Sequence, residues 1–138
     1  GWWHVDQGRS KRGLHAVQGL VLLTDANAHT GGLCVVPGSH KAHDELMRYT
    51  VTSPDGMDFV VVPSPLTNPM VRGGALVAAQ AGDLLLWDSR TVHCNTPALA
   101  PPSAATGQPV DALLRACIYV CMTPRRFASR ATLALRRR

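Results

Sequence analysis

Short apolar runs, cut at close intervals by glycine and proline, constrain this chain more than any other feature of its sequence. The clearest run, 14–24 (LHAVQGLVLLT), alternates as a strand does. It places His15, Val17, Gly19, Val21 and Leu23 on one face and Leu14, Ala16, Gln18, Leu20 and Leu22 on the other. Further strand-sized runs fall at 1–7, 33–36, 75–80, 84–88, 91–95 and 112–122. Turn chemistry separates them, as in 25–32 (DANAHTGG) and Pro37-Gly38-Ser39. One helix is expected over 40–48, with Ser39 as its cap. About seven short strands and one short helix, punctuated at this spacing, read as an all-β sandwich or barrel.

Two stretches interrupt that rhythm. The proline- and glycine-rich segment 52–74 reads as irregular surface with a strand at 59–62, of the kind that covers active sites. The Pro/Ala/Ser loop 96–110 has low complexity and precedes the last strand, which Pro124 stops. Beyond it the chain is open to a short helix or to disorder. The organisation expected is one domain over 1–123 and a basic tail over 124–138.

Composition narrows the function. At 138 residues and 46% hydrophobic content, the chain is sized for one globular core. No run approaches the ~18 apolar residues needed to span a bilayer, and no basic-then-apolar leader is present. The chain opens at Gly1 directly into strand-like residues, so an N-terminal part is expected to be missing. The formal net charge is +5, with Arg125, Arg126, Arg130 and Arg136 to Arg138 crowded at the end. An anionic partner or a solvated tail would both fit. Only Phe127 interleaves with those arginines, so the stacking platform of a single-strand binder is lacking and no nucleic-acid partner is expected. Cys34, Cys94, Cys117 and Cys121 match no zinc spacing. On a strand, Cys117 and Cys121 would sit ~13 Å apart, beyond the roughly 7 Å reach of a disulfide. Free, buried thiols in a reducing, intracellular and cytoplasmic compartment are the expectation. Dinucleotide and P-loop glycine motifs are absent.

The residues that bear chemistry begin at the start. In Trp3-His4-Val5-Asp6-Gln7, a strand projects His4 and Asp6 to one face. One imidazole and one carboxylate are two legs of a metal site. With a second histidine they make the 2-His-1-carboxylate set that suits non-haem Fe(II) and keeps positions open. Gln18 could reach a co-substrate with its amide or serve as an inward hydrogen-bonding residue. His15, His29, His40 and His43 lack a carboxylate of clear spacing and read as surface polar groups. Trp2, Trp3 and Trp87 read as core. Arg90 is placed to pair with Asp88, and Asn95 shares the face of His93.

Four motifs stand in order: His4-Val5-Asp6, the Pro37-Gly38-Ser39-His40 turn, the Gly82-Asp83 strand that leads to His93, and Arg115 at the start of Arg115-Ala116-Cys117-Ile118-Tyr119. Together they resemble the phytanoyl-CoA dioxygenase family, and the resemblance runs from His4 to about Met122. It implies a double-stranded β-helix, the cupin-like jelly roll. It implies His4, Asp6 and His93 as ligands of Fe(II). It implies Arg115 as the partner of the distal carboxylate of 2-oxoglutarate, where a planar guanidinium suits bidentate pairing. The implied reaction is hydroxylation of a small organic or acyl substrate by O2, with 2-oxoglutarate converted to succinate and CO2. The resemblance treats 96–110 as an insertion. The alternative is a non-catalytic jelly-roll binding or structural module with a vestigial metal site; such a chain should have lost one of His4, Asp6, His93 or Arg115.

Overall fold

A computed structural model describes residues 2–50, 57–63, 73–100 and 114–137. It contains β1 (His4–Val5), β2 (Val17–Leu22), β3 (Gly32–Val35), α1 (His43–Tyr49), β4 (Val60–Val61), β5 (Ala75–Leu76), β6 (Leu84–Asp88), β7 (His93–Thr96), β8 (Cys117–Met122) and α2 (Arg130–Leu135). Two antiparallel sheets form, in the orders β4-β1-β7-β3-β5 and β6-β2-β8. This is the all-β jelly-roll arrangement expected.

Side-chain alternation decides how the sheets stack. In the five-stranded sheet, Val5, Cys34, Val36, Val60 and Cys94 share a buried cluster with Leu46 and Met47, so α1 covers that face. The opposite face meets the three-stranded sheet, where Leu20, Leu22 and Trp87 pack with Leu33. Leu20 and Leu22 are fully buried, on the face of β2 that the alternation assigned to them. Gly19 sits in the middle of β2 because Leu86 and Val120 close over it. A Cβ there would lie 2.7 Å from the Leu86 side chain and 2.8 Å from that of Val120.

Several expectations are corrected. The strand expected over 1–7 is paired only at His4–Val5. After it, the backbone turns so that the Asp6 N–H donates to the Ser89 carbonyl at 3.1 Å. The strand over 14–24 shortens to Val17–Leu22 and that over 75–80 to Ala75–Leu76. The last strand begins at Cys117. For β1, β2 and β8 pairing ends where a neighbouring strand ends, although the apolar pattern continues; β5 ends while its neighbour β3 still runs on to Gly32. Ser39 does not cap the helix: its Oγ accepts from the Val92 N–H at 2.8 Å, tying the turn to the strand before His93. Ser39 instead opens a 3-10 turn over Ser39–Ala42, preceded by Gly38 in a left-handed conformation at φ 78° that favours glycine, and α1 starts later than expected, at His43, with Ala42 at its cap position and no side-chain cap. Trp2 is exposed, not core, and Cys121 is exposed, while Trp3, Trp87, Cys34 and Cys94 are buried as expected. The strand expected at 59–62 is present as β4. Most of the 96–110 loop lies outside the described residues. Its first part turns back, and the Leu99 and Ala100 N–H groups donate to the Ala28 carbonyl at 2.7 and 2.9 Å. The C-terminal segment is structured as a short 3-10 turn at Arg125–Phe127 followed by α2.

Candidate metal centre

The pairing of β1 with β7 places His4 directly opposite His93. Both are almost wholly buried, on the face of the five-stranded sheet that looks toward the other sheet. Their ring centroids lie 4.3 Å apart. Asp6, two residues on, swings in beside them. His4 Nε2 is 3.8 Å from Asp6 Oδ1, and His93 Nε2 is 3.6 Å from Asp6 Oδ2. One ligand atom from each residue lies within 4.8 Å of the others, and among the described residues this is the one such His/Cys/Asp/Glu group found.

Backbone carbonyls set the tautomer of both imidazoles. His4 Nδ1 lies 2.9 Å from the Trp2 carbonyl, and His93 Nδ1 lies 2.9 Å from the Thr91 carbonyl. A carbonyl oxygen only accepts, so each Nδ1 must hold a proton, and in the neutral imidazole each Nε2 then presents a lone pair toward Asp6. Burial lowers the pKa of His4, with the nearby His93 acting in the same sense, which favours the neutral form that binds metal. For Asp6, burial alone would raise the pKa. The neighbouring His93 and the hydrogen bond donated by Gln18 act in the opposite sense, and the carboxyl is held below its ordinary range. The set is therefore two imidazole nitrogens and one carboxylate, the composition that non-haem iron sites use.

Ring contacts frame the corner. Trp2 stacks on His4 at 4.6 Å and 16°, Phe59 tilts against the same imidazole at 4.6 Å, and Trp87 meets His93 at 5.2 Å. Trp2 and Phe59 were not anticipated at the site. Trp2 stands two residues before His4, so the same-face reasoning used for Asp6 could have found it; Phe59 arrives from a distant segment with no local signal.

Gln18 touches the triad. Its Nε2 donates to Asp6 Oδ2 at 2.5 Å, while its buried Oε1 has no partner among the described residues. Arg115 is not in contact with the triad. Its Nη2 donates to Asn95 Oδ1 at 2.8 Å and approaches Cys117 Sγ at 3.8 Å, and its buried Nε has no partner among the described residues. Asn95 in turn donates to the Tyr119 hydroxyl at 3.0 Å. Asn95 and Tyr119 line a cavity of about 420 Å³ together with His4, Asp6, His93 and Gln18. Arg115 thus stands one residue behind the wall of the cavity that contains the triad.

The remaining histidines sort differently. His43 is corrected from surface to core: it is buried, and its Nε2 donates to the Gln7 carbonyl at 2.8 Å. His15 stacks on Phe127. His29 and His40 lie outside the triad. Arg90 pairs with Asp88 through both carboxylate oxygens, as the spacing suggested.

Comparison with known proteins now bears on this geometry. The family model described as Phytanoyl-CoA dioxygenase (PhyH) matches residues 1–97, a span that includes all three members of the triad. The chain belongs to the phytanoyl-CoA dioxygenase family. Among curated members of similar sequence is "Ava biosynthesis cluster protein O" from Aspergillus versicolor, 31% identical over 142 residues, covering 96% of this chain and 42% of that protein. "Ectoine dioxygenase" from Halomonas elongata is 28% identical over 106 residues, covering 72% of this chain and 31% of that protein. The chain therefore spans less than half the length of these phytanoyl-CoA dioxygenase relatives. The crystal structure of EctD from S. alaskensis in its apoform shares the fold, with a TM-score of 0.53 at 19% identity over 87% of this chain and 37% of that one. Arg115 lies beyond the span of the family match.

Proposed function

We propose that this chain is the ligand-bearing part of an Fe(II)- and 2-oxoglutarate-dependent dioxygenase that hydroxylates a small organic or acyl substrate. The observation that supports it best is the convergence of two Nε2 lone pairs and one carboxylate on a common point, with both imidazoles already held in the metal-binding tautomer. The donor set fits iron: two nitrogens and one oxygen leave coordination positions for a chelating co-substrate and dioxygen. When bound, Fe(II) with 2-oxoglutarate and O2 supplies the oxidising power for hydroxylation, with succinate and CO2 as co-products.

The chain's own residues would do the rest. His4, Asp6 and His93 hold the metal. Gln18 fixes the Asp6 carboxylate through its hydrogen bond, the kind of outer contact that orients a ligand. Arg115 would receive the distal carboxylate of 2-oxoglutarate. Its Nε lacks a partner among the described residues, and its guanidinium is hydrogen-bonded to Asn95, which lines the cavity. Trp2, Phe59 and Trp87 exclude water from the imidazoles. The partners on this reading are a small molecule and O2. Among the described residues, no helix is long and apolar enough to cross a membrane.

The test is anaerobic. Fe(II) followed by 2-oxoglutarate should give a visible metal-to-ligand charge-transfer band, and His4→Ala should abolish it. Retention of the band in His4→Ala would assign the metal elsewhere. Metal uptake without a band on adding 2-oxoglutarate would favour a module that keeps a metal but has lost the co-substrate.

A further inference from the structure

Asp6 and Gln18 line two cavities. The first, about 420 Å³, contains His4, His93 and Asn95. The second, about 710 Å³, meets the same Asp6 and Gln18 but extends to the C-terminal segment, where Phe127, Thr132 and Arg136 form its wall. Both volumes are in the range of small-molecule sites. The wall is built by specific contacts. The Phe127 ring stacks on His15 at 4.6 Å and 10°, which docks the segment against the approach to β2. Ser129 caps α2 by accepting from the Thr132 N–H at 3.0 Å, which sets the helix that presents Thr132 and Arg136.

We propose that the second cavity is the substrate chamber, that residues 123–136 form its specificity-determining wall, and that it takes a small organic anion. This rests on the iron and 2-oxoglutarate reading. That reading directs the co-substrate toward Arg115, whose partner Asn95 lines the first cavity. The second cavity is then a separate approach to the same metal leg. Its charge selects the ligand. Lys11 and Asp58 line it but pair with each other, and Asp6 is committed to the metal. The Arg136 guanidinium is the lining charge left without an offset among the described lining residues. Ala16, Ala128 and the edge of Phe127 supply apolar contact for a carbon body. An anion held at Arg136 would direct that body toward Asp6.

The test uses this chain loaded anaerobically with Fe(II) and 2-oxoglutarate, with hexanoate as probe and hexanamide as its neutral match. Binding is read by calorimetry and by perturbation of the charge-transfer band. Hexanoate is expected to bind at least tenfold more tightly than hexanamide. Arg136→Ala should remove that preference, and Thr132→Trp, which fills the chamber, should abolish binding of both. The band before probe addition should survive in both variants, since neither residue lies in the first cavity. Equal binding of hexanoate to the parent and to Thr132→Trp overturns the chamber, as does no preference for the anion in a parent that shows the band. Absence of the band in the parent removes the iron and 2-oxoglutarate reading, and the chamber with it.

Discussion

The two sheets bury themselves in different ways. The three-stranded sheet has the long ladders, with β2 paired along its whole length to β8. It hides one face, Leu20, Leu22 and Trp87, and leaves Leu84, Leu86, Ile118 and Met122 of the other exposed. The five-stranded sheet has short ladders, down to two residues in β1, yet is covered on both faces where it carries the ligands. What its strands lack in length, polar side chains supply. Gln7, fully buried, donates to the carbonyls of Lys11 and Gly13 and accepts from the Ser89 hydroxyl at 2.8 Å. The backbone just after Asp6 is thereby tied both to its own loop and to the turn before β7. Apolar burial is non-directional and builds the platform; hydrogen bonds have direction and place the ligands.

The sharpest way to break that contrast is at Gln7. Gln7→Leu should cost about 4 kcal/mol in urea denaturation, because the buried Ser89 hydroxyl loses its acceptor and the Lys11 and Gly13 carbonyls lose the donor that ties the loop down. It should also weaken metal binding by moving Asp6, whereas a loss under about 1 kcal/mol would show the network to be incidental. Leu20→Ala comes next, at about 3 kcal/mol, for a cavity in the packed face of β2. Unlike Gln7→Leu, it should leave metal affinity nearly unchanged in the protein that remains folded.

A smaller effect is expected at Asp88 and Arg90. Burial would raise the Asp88 pKa, but hydrogen bonds from Arg90 outweigh it and lower the pKa from its ordinary 3.8. Stability from this pair is therefore present above the unfolded value and lost as pH falls through the folded one. Arg90→Ala should cost about 1 kcal/mol at pH 7, and the gap from the parent should narrow below about pH 4. A gap that widens in acid would reverse the sign assigned here. The smallest change is expected on the exposed face: Leu86→Ala should alter stability by under about 0.5 kcal/mol. A loss comparable to that of Leu20→Ala would mean that the two faces of β2 and β6 are not as unequal as their exposure indicates.

The contrast also explains what was legible in the sequence. Alternation along β2 assigned Gln18, Leu20 and Leu22 to one common face, which the structure shows to be the inner one, because a strand has period two whatever its partners. The same rule brought His4 and Asp6 together, although the chain leaves the strand at Asp6. The family motifs supplied His93, whose position opposite His4 no local pattern could give. The ends of β1, β2 and β8 were overshot because pairing stops where a neighbour stops, and the neighbour lies far away in sequence. Ser39 read as a helix cap and His43 as a surface polar group, and Gln7 gave no signal of its own. Their partners, Val92, the Gln7 carbonyl and Ser89, are set by tertiary contacts. The docking of Phe127 on His15 was hidden for the same reason behind a run of arginines.

Both His4 and His93 lean on the carbonyl two residues before them. A carbonyl belongs to the main chain, so no substitution at position 2 or 91 deletes it. The orientation of each imidazole is therefore inherited with the backbone rather than with any particular neighbour. A lineage could exchange Trp2 or Thr91, and so reshape what surrounds the site, without deleting the acceptor that orients either ring.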